Sequence, residues 1–449
     1  MSTNSQTEQF SAATNGGKGE GSTVGIALLG FGTVGAEVFR LLQENRDAFI
    51  HRIGGPAEVR GVAVSDLGKS RPGVPEELLT EDARSLIARD DVDLVVEVIG
   101  GIEYPRELVL SALRSGKSVV TANKALVAAH ADELAEAADV AGVDLFFEAA
   151  VAAAIPVVGM LRRSLSGDQI ERISGIVNGT TNFILDAMES TGASYEDALA
   201  EATRLGYAEA DPTADVEGHD AASKAAIMAS IGFHTRVKFE DVHCEGISQI
   251  TAEDIEAANQ AGYSIKLLAI CERITRENGE QAVNARVHPT LVPKEHPLAS
   301  VNESYNAIFV EAEAAGSLMF YGNGAGGNPT ASAVLGDLVG ASRNIVHGGL
   351  APGENTYANL PIANFGEVTT RYHVDMEVVD RSGVLAAISN VFADQGVSLR
   401  TVRQEDKGDT ARLIVVTHAA TESVLESIVE TLSTLDEVKA VHSVIRLDN

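Results

Sequence analysis

The apolar run VGIALLG at residues 24–30 passes directly into Gly30-Phe31-Gly32-Thr33-Val34-Gly35 and then into the helical pattern AEVFRLLQENRDAFI. A buried strand, a turn of spaced glycines and a helix, in that order, are the context that gives a dinucleotide fingerprint its meaning. No other feature restricts the fold of this chain as strongly. Gly30 permits the tight turn, Gly32 lets the backbone approach a pyrophosphate, and Gly35 allows the helix to pack close to the strand. The helix start offers unpaired N–H groups to the anion. A glycine turn without a nucleotide is the competing reading, and the flanking strand and helix weigh against it. Further strand-like runs at residues 58–64, 92–99, 118–121 and 143–147 are mostly separated by helical patterns. Such βα units predict a Rossmann-type, doubly wound parallel sheet of the α/β class.

Beyond the second strand, an acidic residue would bond a ribose 2′-hydroxyl and favour NAD, whereas basic groups would accept a 2′-phosphate. The chain offers both, with Asp66 after Ser65 and then Lys69 and Arg71. NADP is the expected cofactor, with NAD open.

The segment GYAEADPTADVEGHDAASK at residues 206–224 gathers five acidic side chains, one histidine and one lysine into nineteen residues. Pro212 disfavours helix at Asp211, and an Ala-rich helical stretch follows Gly218 over residues 219–233. Asp220 and Lys224 then share a helical face in the favourable order, acid four positions before lysine. A held ammonium group is suited to proton transfer. The plainer alternative is a solvated acidic loop beside a surface ion pair. His219 points about 100° away from Asp220 and is set aside as a catalytic group. His234, His243, His288 and His296 lack metal-ligand spacing, so no zinc site is expected.

With 449 residues and 45 % hydrophobic content, the chain is long enough for two or three cores. It carries no apolar run approaching the roughly 20 residues of a membrane span and no secretory pattern near its start, so a cytoplasmic location is expected. A formal charge of −30 argues against nucleic acid and anionic membrane as partners. Cys244 and Cys271 form neither a metal pattern nor a disulfide framework.

Along the chain, residues 1–22 read as a disordered polar tail, 23–148 as the dinucleotide-binding domain, and 149–321 as an α+β catalytic and oligomerisation domain. The Gly-rich run at 322–330 feeds a helical segment, and residues 322–349 are expected to return to the nucleotide domain. Residues 350–370, with two prolines and two glycines, read as a linker. The remaining 371–449 show the order βαββαβ, a ferredoxin-like module in which Asp380-Arg-Ser-Gly-Val-Leu turns the first strand into the first helix.

Over about residues 23–449 the chain resembles the homoserine dehydrogenases. The resemblance is carried by GFGTVG at 30–35, TANK at 121–124, EAAVAAAIP at 148–156, NGTTN at 178–182 and the acidic segment at 206–224. The last module resembles an ACT domain, with the DRSGVL turn as its ligand-binding feature. The resemblance implies interconversion of L-homoserine and L-aspartate 4-semialdehyde with a nicotinamide cofactor. It implies Lys224 as proton donor, Asp220 as its partner, Lys124 near substrate and nicotinamide, and Glu209 and Asp215 as substrate contacts. Gly30, Phe31, Gly32, Thr33, Val34, Gly35, Lys124, Gly206 and Gly326 match cofactor positions. Glu148, Val151, Ala153 and Ile155 match a monovalent-cation site of one carboxylate and three main-chain carbonyls, with sodium expected.

Chemistry supports the lysine independently. An alcohol oxidation needs a group that takes the hydroxyl proton, and the reverse reaction needs one that returns it. Asp220 favours the ammonium form, so Lys224 should serve best as an acid in reduction, with oxidation favoured at alkaline pH. Lys124 nearby would act in the opposite sense.

The ACT module implies feedback by an amino acid, threonine being expected, in a homo-oligomer (dimer or tetramer) coupled through the 350–370 linker. On this reading residues 371–449 are removable, with loss of inhibition and some retained activity. No aspartate kinase domain precedes the nucleotide domain, so a monofunctional enzyme is expected. A catalytically silent sensor is the alternative from another class. The complete set Lys124, Glu209, Asp220 and Lys224 speaks for the enzyme.

Overall fold

In the computed structural model, which describes residues 16–353, 356–406 and 408–448, the run at the start of the fingerprint forms the strand Val24–Leu29. Its side chains are buried on both faces. Ile26 and Leu28 pack with Val38, Phe39 and Leu42 of the following helix, while Ala27 and Leu29 pack with Leu108, Val109 and Leu113 on the opposite side. Such two-sided burial is why a parallel strand reads as a continuous apolar run.

The other strands of this sheet are Ala57–Ala63, Leu79–Thr80, Leu94–Glu97, Ser118–Thr121 and Leu145–Phe146, all parallel. Numbered along the chain, their spatial order is 3-2-1-4-5-6, and the reversal lies between Val24–Leu29 and Leu94–Glu97. Ligands bind at the carboxyl ends of strands at such a reversal.

The chain divides into two compact units. The first comprises Met1–Ala150 and Gly326–Glu354, the second Val151–Ala325 and Asn355–Asn449. In the first, the late helix Gly327–His347 covers one sheet face through Ala331, Val334, Leu335, Leu338 and Ala341. Of the expected tail, residues 1–15 lie outside the described residues. Residues 16–22 take a fixed course instead, because their main chain finds partners: Lys18 N donates to Ile345 O at 2.9 Å and Gly21 N to Gly54 O at 2.8 Å.

The second unit is built on one mixed sheet. Its order runs Gly316–Asn323, Tyr305–Ala312, Ile170–Ile176, Tyr263–Thr275, Gln281–Pro293, Val438–Leu447, Thr369–Val379, Thr410–Thr417 and Leu399–Asp406. The last four strands and the helices Val384–Asp394 and Glu422–Ser433 make the βαββαβ module, whose strands pair antiparallel. The Ala-rich helix His219–Gly232 is buried along most of its length. Gly232 belongs there because an added Cβ would come within 2.7 Å of Ile173. Burial pushes the Cys271 thiol up to about 12, which keeps it protonated and unreactive.

The module is not a bead on a linker. Its final strand pairs in parallel with Gln281–Pro293, Thr290 opposite Arg446 and Leu291 opposite Leu447. Arg446 binds Glu245 at 2.7 Å on the catalytic side and Glu422 at 2.9 Å within the module. Burial alone would push the Glu245 carboxyl up, but the hydrogen bond with His243 and the Arg446 guanidinium draw it down to about 2. The segment expected as a linker is itself pinned. Val283 N donates to Pro361 O at 2.9 Å, Ala363 N donates to Val283 O at 2.8 Å, and Phe365 stacks on His243 with ring centroids 3.6 Å apart. Its carbonyls and amides extend the edge of the Gln281–Pro293 strand, which composition alone does not reveal.

Candidate active site

At the carboxyl ends of the parallel strands of the first unit lies a cavity of about 470 Å³, lined by Gly30, Phe31, Gly32, Ala63, Val64, Ser65, Lys69, Arg71, Val98 and Ile99 among others. The glycines separate by role. Gly30 has φ +101°, and a Cβ there would stand 2.8 Å from Val98 O; a Cβ on Gly35 would stand 2.3 Å from Gly30 O. These two are fixed by the protein's own packing. At Gly32 an added Cβ meets nothing within 4 Å, so its lack of a side chain leaves open space at the cavity wall. Gly32 also caps the helix Thr33–Glu44 without a side-chain hydrogen bond. Thr33, Val34 and Gly35 form the first turn of that helix. Gly326, at φ +113°, begins the second helix, Gly327–His347, and an added Cβ on Gly327 would stand 3.0 Å from the Thr33 methyl. Two helix N-termini therefore meet at one turn, the arrangement that favours a bound anion.

The ribose end is resolved by a local turn. Asp66 Oδ1 accepts from Gly68 N at 2.8 Å, closing its own loop, while Lys69 and Arg71 line the cavity. Lys124 opens the helix Lys124–Ala141, directly after the strand Ser118–Thr121. Asn123 caps that helix by accepting from Leu126 N, and Thr121 donates to the buried Glu97 at 2.5 Å, which in turn accepts from Ile99 N at 2.8 Å. These bonds lock the loop ends that carry Lys124 and Ile99.

In the second unit, Asp220 and Lys224 are each only 7 % exposed, so the pair is not a surface ion pair. Lys224 Nζ donates to Asp220 Oδ2 at 2.8 Å and to Val177 O at 2.6 Å. Its buried charge is thus held by a carboxylate and a main-chain carbonyl together, the pairing that a desolvated ammonium requires. Asp215 joins this group through Asn178, whose amide nitrogen lies 2.7 Å from Asp215 Oδ1 and 2.8 Å from Asp220 Oδ2. Asp215 sits in the short helix Thr213–Val216 that starts after Pro212. Gly206 ends the helix Tyr195–Leu205 at φ +81°, and the next residue, Tyr207, accepts from Thr180 Oγ1 at 2.8 Å. Glu209 stands exposed on this loop. His219 is exposed and packs edge-on to Phe239.

Of the residues expected at the cation position, Glu148 is buried and donates its N–H to Asp337 Oδ2 at 2.7 Å in the first unit. Val151, Ala153 and Ile155 are buried in the second. Ala152 and Ala153 both have positive φ, 53° and 44°. Two successive left-handed alanines are strained by roughly 1–3 kcal/mol each, and such strain gathers where main-chain groups must be aimed. Among the described residues no group of three or more His, Cys, Asp or Glu side chains could hold a metal ion. One carboxylate with main-chain carbonyls is a hard oxygen set compatible with a monovalent cation.

Sequence reasoning gave no role to Asn178 or to the Val177 carbonyl. Asn178 was legible only as part of NGTTN, and its two carboxylate partners lie 37 and 42 residues away.

Comparison with known proteins agrees with this geometry. Residues 30–148 match the model "Homoserine dehydrogenase, NAD binding domain", residues 156–339 the model "Homoserine dehydrogenase", and residues 372–437 the ACT domain. The homoserine dehydrogenase of Corynebacterium glutamicum is 74 % identical over 434 residues, covering 97 % of this chain and 98 % of that protein. The crystal structure of the Thiobacillus denitrificans homoserine dehydrogenase superposes with a TM-score of 0.89 at 40 % identity, covering 96 % of this chain and 99 % of that one. A hyperthermophilic archaeal homoserine dehydrogenase solved with NADPH matches at a TM-score of 0.59 and 28 % identity, covering 72 % of this chain and 98 % of that one. With the parallel nucleotide-binding sheet, the buried lysine–carboxylate group and the C-terminal module all in place, the chain belongs to the homoserine dehydrogenase family of oxidoreductases.

Proposed function

We propose that the chain interconverts L-homoserine and L-aspartate 4-semialdehyde with Lys224 as the proton-transfer group, a reading carried by the buried Lys224 held between Asp220 and Val177 O. A nicotinamide cofactor, when bound, supplies or accepts the hydride. In aldehyde reduction Lys224 gives its proton to the oxygen that becomes the hydroxyl group, and in oxidation neutral Lys224 takes that proton back. Asp220 holds the ammonium form, so alkaline conditions favour oxidation. Asp215 and Glu209 bind the substrate, Asp215 through the amino group, and Lys124 serves substrate and nicotinamide. Glu148 with the carbonyls of Val151, Ala153 and Ile155 holds a monovalent cation, assigned as sodium. These are readings from the family pattern and from the chemistry of each position.

NADP is the assigned cofactor. Asp66 is occupied by its own turn while Lys69 and Arg71 line the cavity, and the archaeal relative was solved with NADPH. Initial rates of homoserine oxidation with NADP and NAD supplied separately test the reaction and the preference together. In the double variant Lys69→Ala/Arg71→Ala, KM for NADP should rise about 10- to 100-fold, the worth of one charge-assisted phosphate contact or slightly more, with KM for NAD changing little. Equal changes for both cofactors would place the 2′-phosphate elsewhere.

Threonine is the assigned effector, bound at the Asp380–Leu385 turn, and the protein works as a homo-oligomer. Gly383, at φ +96°, opens the helix Val384–Asp394 with no side-chain cap, as a carboxylate-holding turn requires. Both terminal strands of the second unit's sheet, Gly316–Asn323 and Leu399–Asp406, end its pairing order and are suited to association. Titrating threonine into the full chain should lower the rate, and by linkage homoserine should weaken threonine binding measured by calorimetry. Rates insensitive to threonine would reassign the effector.

A further inference from the structure

Resting on the assignment of Asp215, Asp220 and Lys224 above, we propose that Asn178 is a positioning residue for the reaction, acting through its side-chain amide on both carboxylates at once. Its orientation is determined by its surroundings. Oδ1 accepts from Thr181 N at 2.9 Å, so it must face the helix Gly179–Thr191 that it caps, and the NH2 group must face the acids. The two N–H bonds then go to Asp215 Oδ1 at 2.7 Å and Asp220 Oδ2 at 2.8 Å, in a side chain only 5 % exposed. The carboxylates belong to different elements, the short helix Thr213–Val216 and the helix His219–Gly232. One neutral amide thus ties the substrate-binding acid to the acid that holds the lysine. The preceding residue completes the arrangement, since Val177 O accepts from Lys224 Nζ at 2.6 Å.

The residue type follows from the electrostatics. Two carboxylates converging on one point repel each other, and an amide supplies two donors without adding charge. A lysine or arginine at this position would neutralise Asp215 and compete with the ammonium group of the substrate. An aspartate would add a third negative charge with no donor. Both serine and aspartate, however, are good helix caps, which lets the capping role be separated from the positioning role.

The test compares Asn178→Ser and Asn178→Asp with wild type and Lys224→Ala in the full chain. In Asn178→Ser the cap is kept, so the melting temperature should stay close to wild type. Loss of charge-assisted bonds should lower kcat about 10- to 100-fold and raise KM for homoserine about 10-fold, leaving KM for the cofactor unchanged. Asn178→Asp should be worse in both kcat and homoserine KM. Wild-type kinetics in Asn178→Ser with an inactive Lys224→Ala overturns the positioning role alone. Wild-type rates in both overturn the assignment of the site itself. Melting temperature falling in parallel with activity in both Asn178 variants also overturns the proposal, leaving Asn178 as a cap.

Discussion

Replacing Lys224 by alanine is expected to lower kcat for homoserine oxidation by about 10²–10⁴-fold, the usual share of a positioned acid–base group. The nitrogen that moves the proton lies 2.8 Å from Asp220 Oδ2 and 2.6 Å from Val177 O, buried in the second unit, while the cofactor cavity belongs to the first. KM for NADP should therefore change little. Lys224→Arg sharpens the test. It keeps the positive charge but stays protonated, so it should be nearly as inactive in oxidation as alanine. The wild-type oxidation rate should climb with pH, and the residual rate of either variant should not follow it. Rates within a few-fold of wild type in Lys224→Ala would remove Lys224 from proton transfer and move the role to Lys124. The assay is the appearance of reduced nicotinamide absorbance, with circular dichroism confirming that each variant is folded.

Truncation before residue 371 should do more than relieve inhibition. The sequence alone makes the C-terminal module look detachable, but the structure makes its last strand part of the catalytic sheet. Deletion strips Val438–Leu447 from Gln281–Pro293 and takes Arg446 from Glu245. It also removes the ion pair between Arg172 and the buried Asp448, leaving Arg172, 15 % exposed, with only longer contacts to Glu272 and Glu311. Breaking a buried pair costs about 3–5 kcal/mol, which in a domain of this size lowers Tm by on the order of 10 °C. The bared edge of Gln281–Pro293 would also recruit other chains. The expected product is a protein that melts early and aggregates, as scanning calorimetry and light scattering would show. A truncated enzyme that is soluble, melts within a few degrees of the full chain and turns over normally would show that the shared edge adds little.

What the sequence disclosed follows the range of the forces involved. The fingerprint was legible because Gly30 and Gly35 answer to contacts within a few residues of the turn or across one neighbouring strand. The βαββαβ order was legible for the same reason, its strands and helices being set by local periodicity; Val438–Leu447 and Glu422–Ser433 fall where the pattern placed them. The strand Leu79–Thr80 was missed because two residues carry no period. Asp220 and Lys224 were legible as an i,i+4 pair, yet their burial was not, since it comes from packing against distant strands. The joining of the two sheets rests on two residue pairs some 150 positions apart in the chain, and nothing near either end announces it. The polar residues 16–22 misled in the other direction. Their composition lacks a core, but their main chain satisfies itself on the end of a helix.

The fused sheet also bears on how such proteins can be recombined. A strand that closes one sheet with its inner edge and extends another with its outer edge answers to two neighbours, and its residues cannot drift for the sake of either alone. The seam along which a foreign sensor could be grafted therefore does not lie in residues 350–370. A working chimera would have to retain the native last strand with Arg446 and Asp448, or import one whose outer edge fits Thr290 and Leu291 and whose charges meet Glu245 and Arg172.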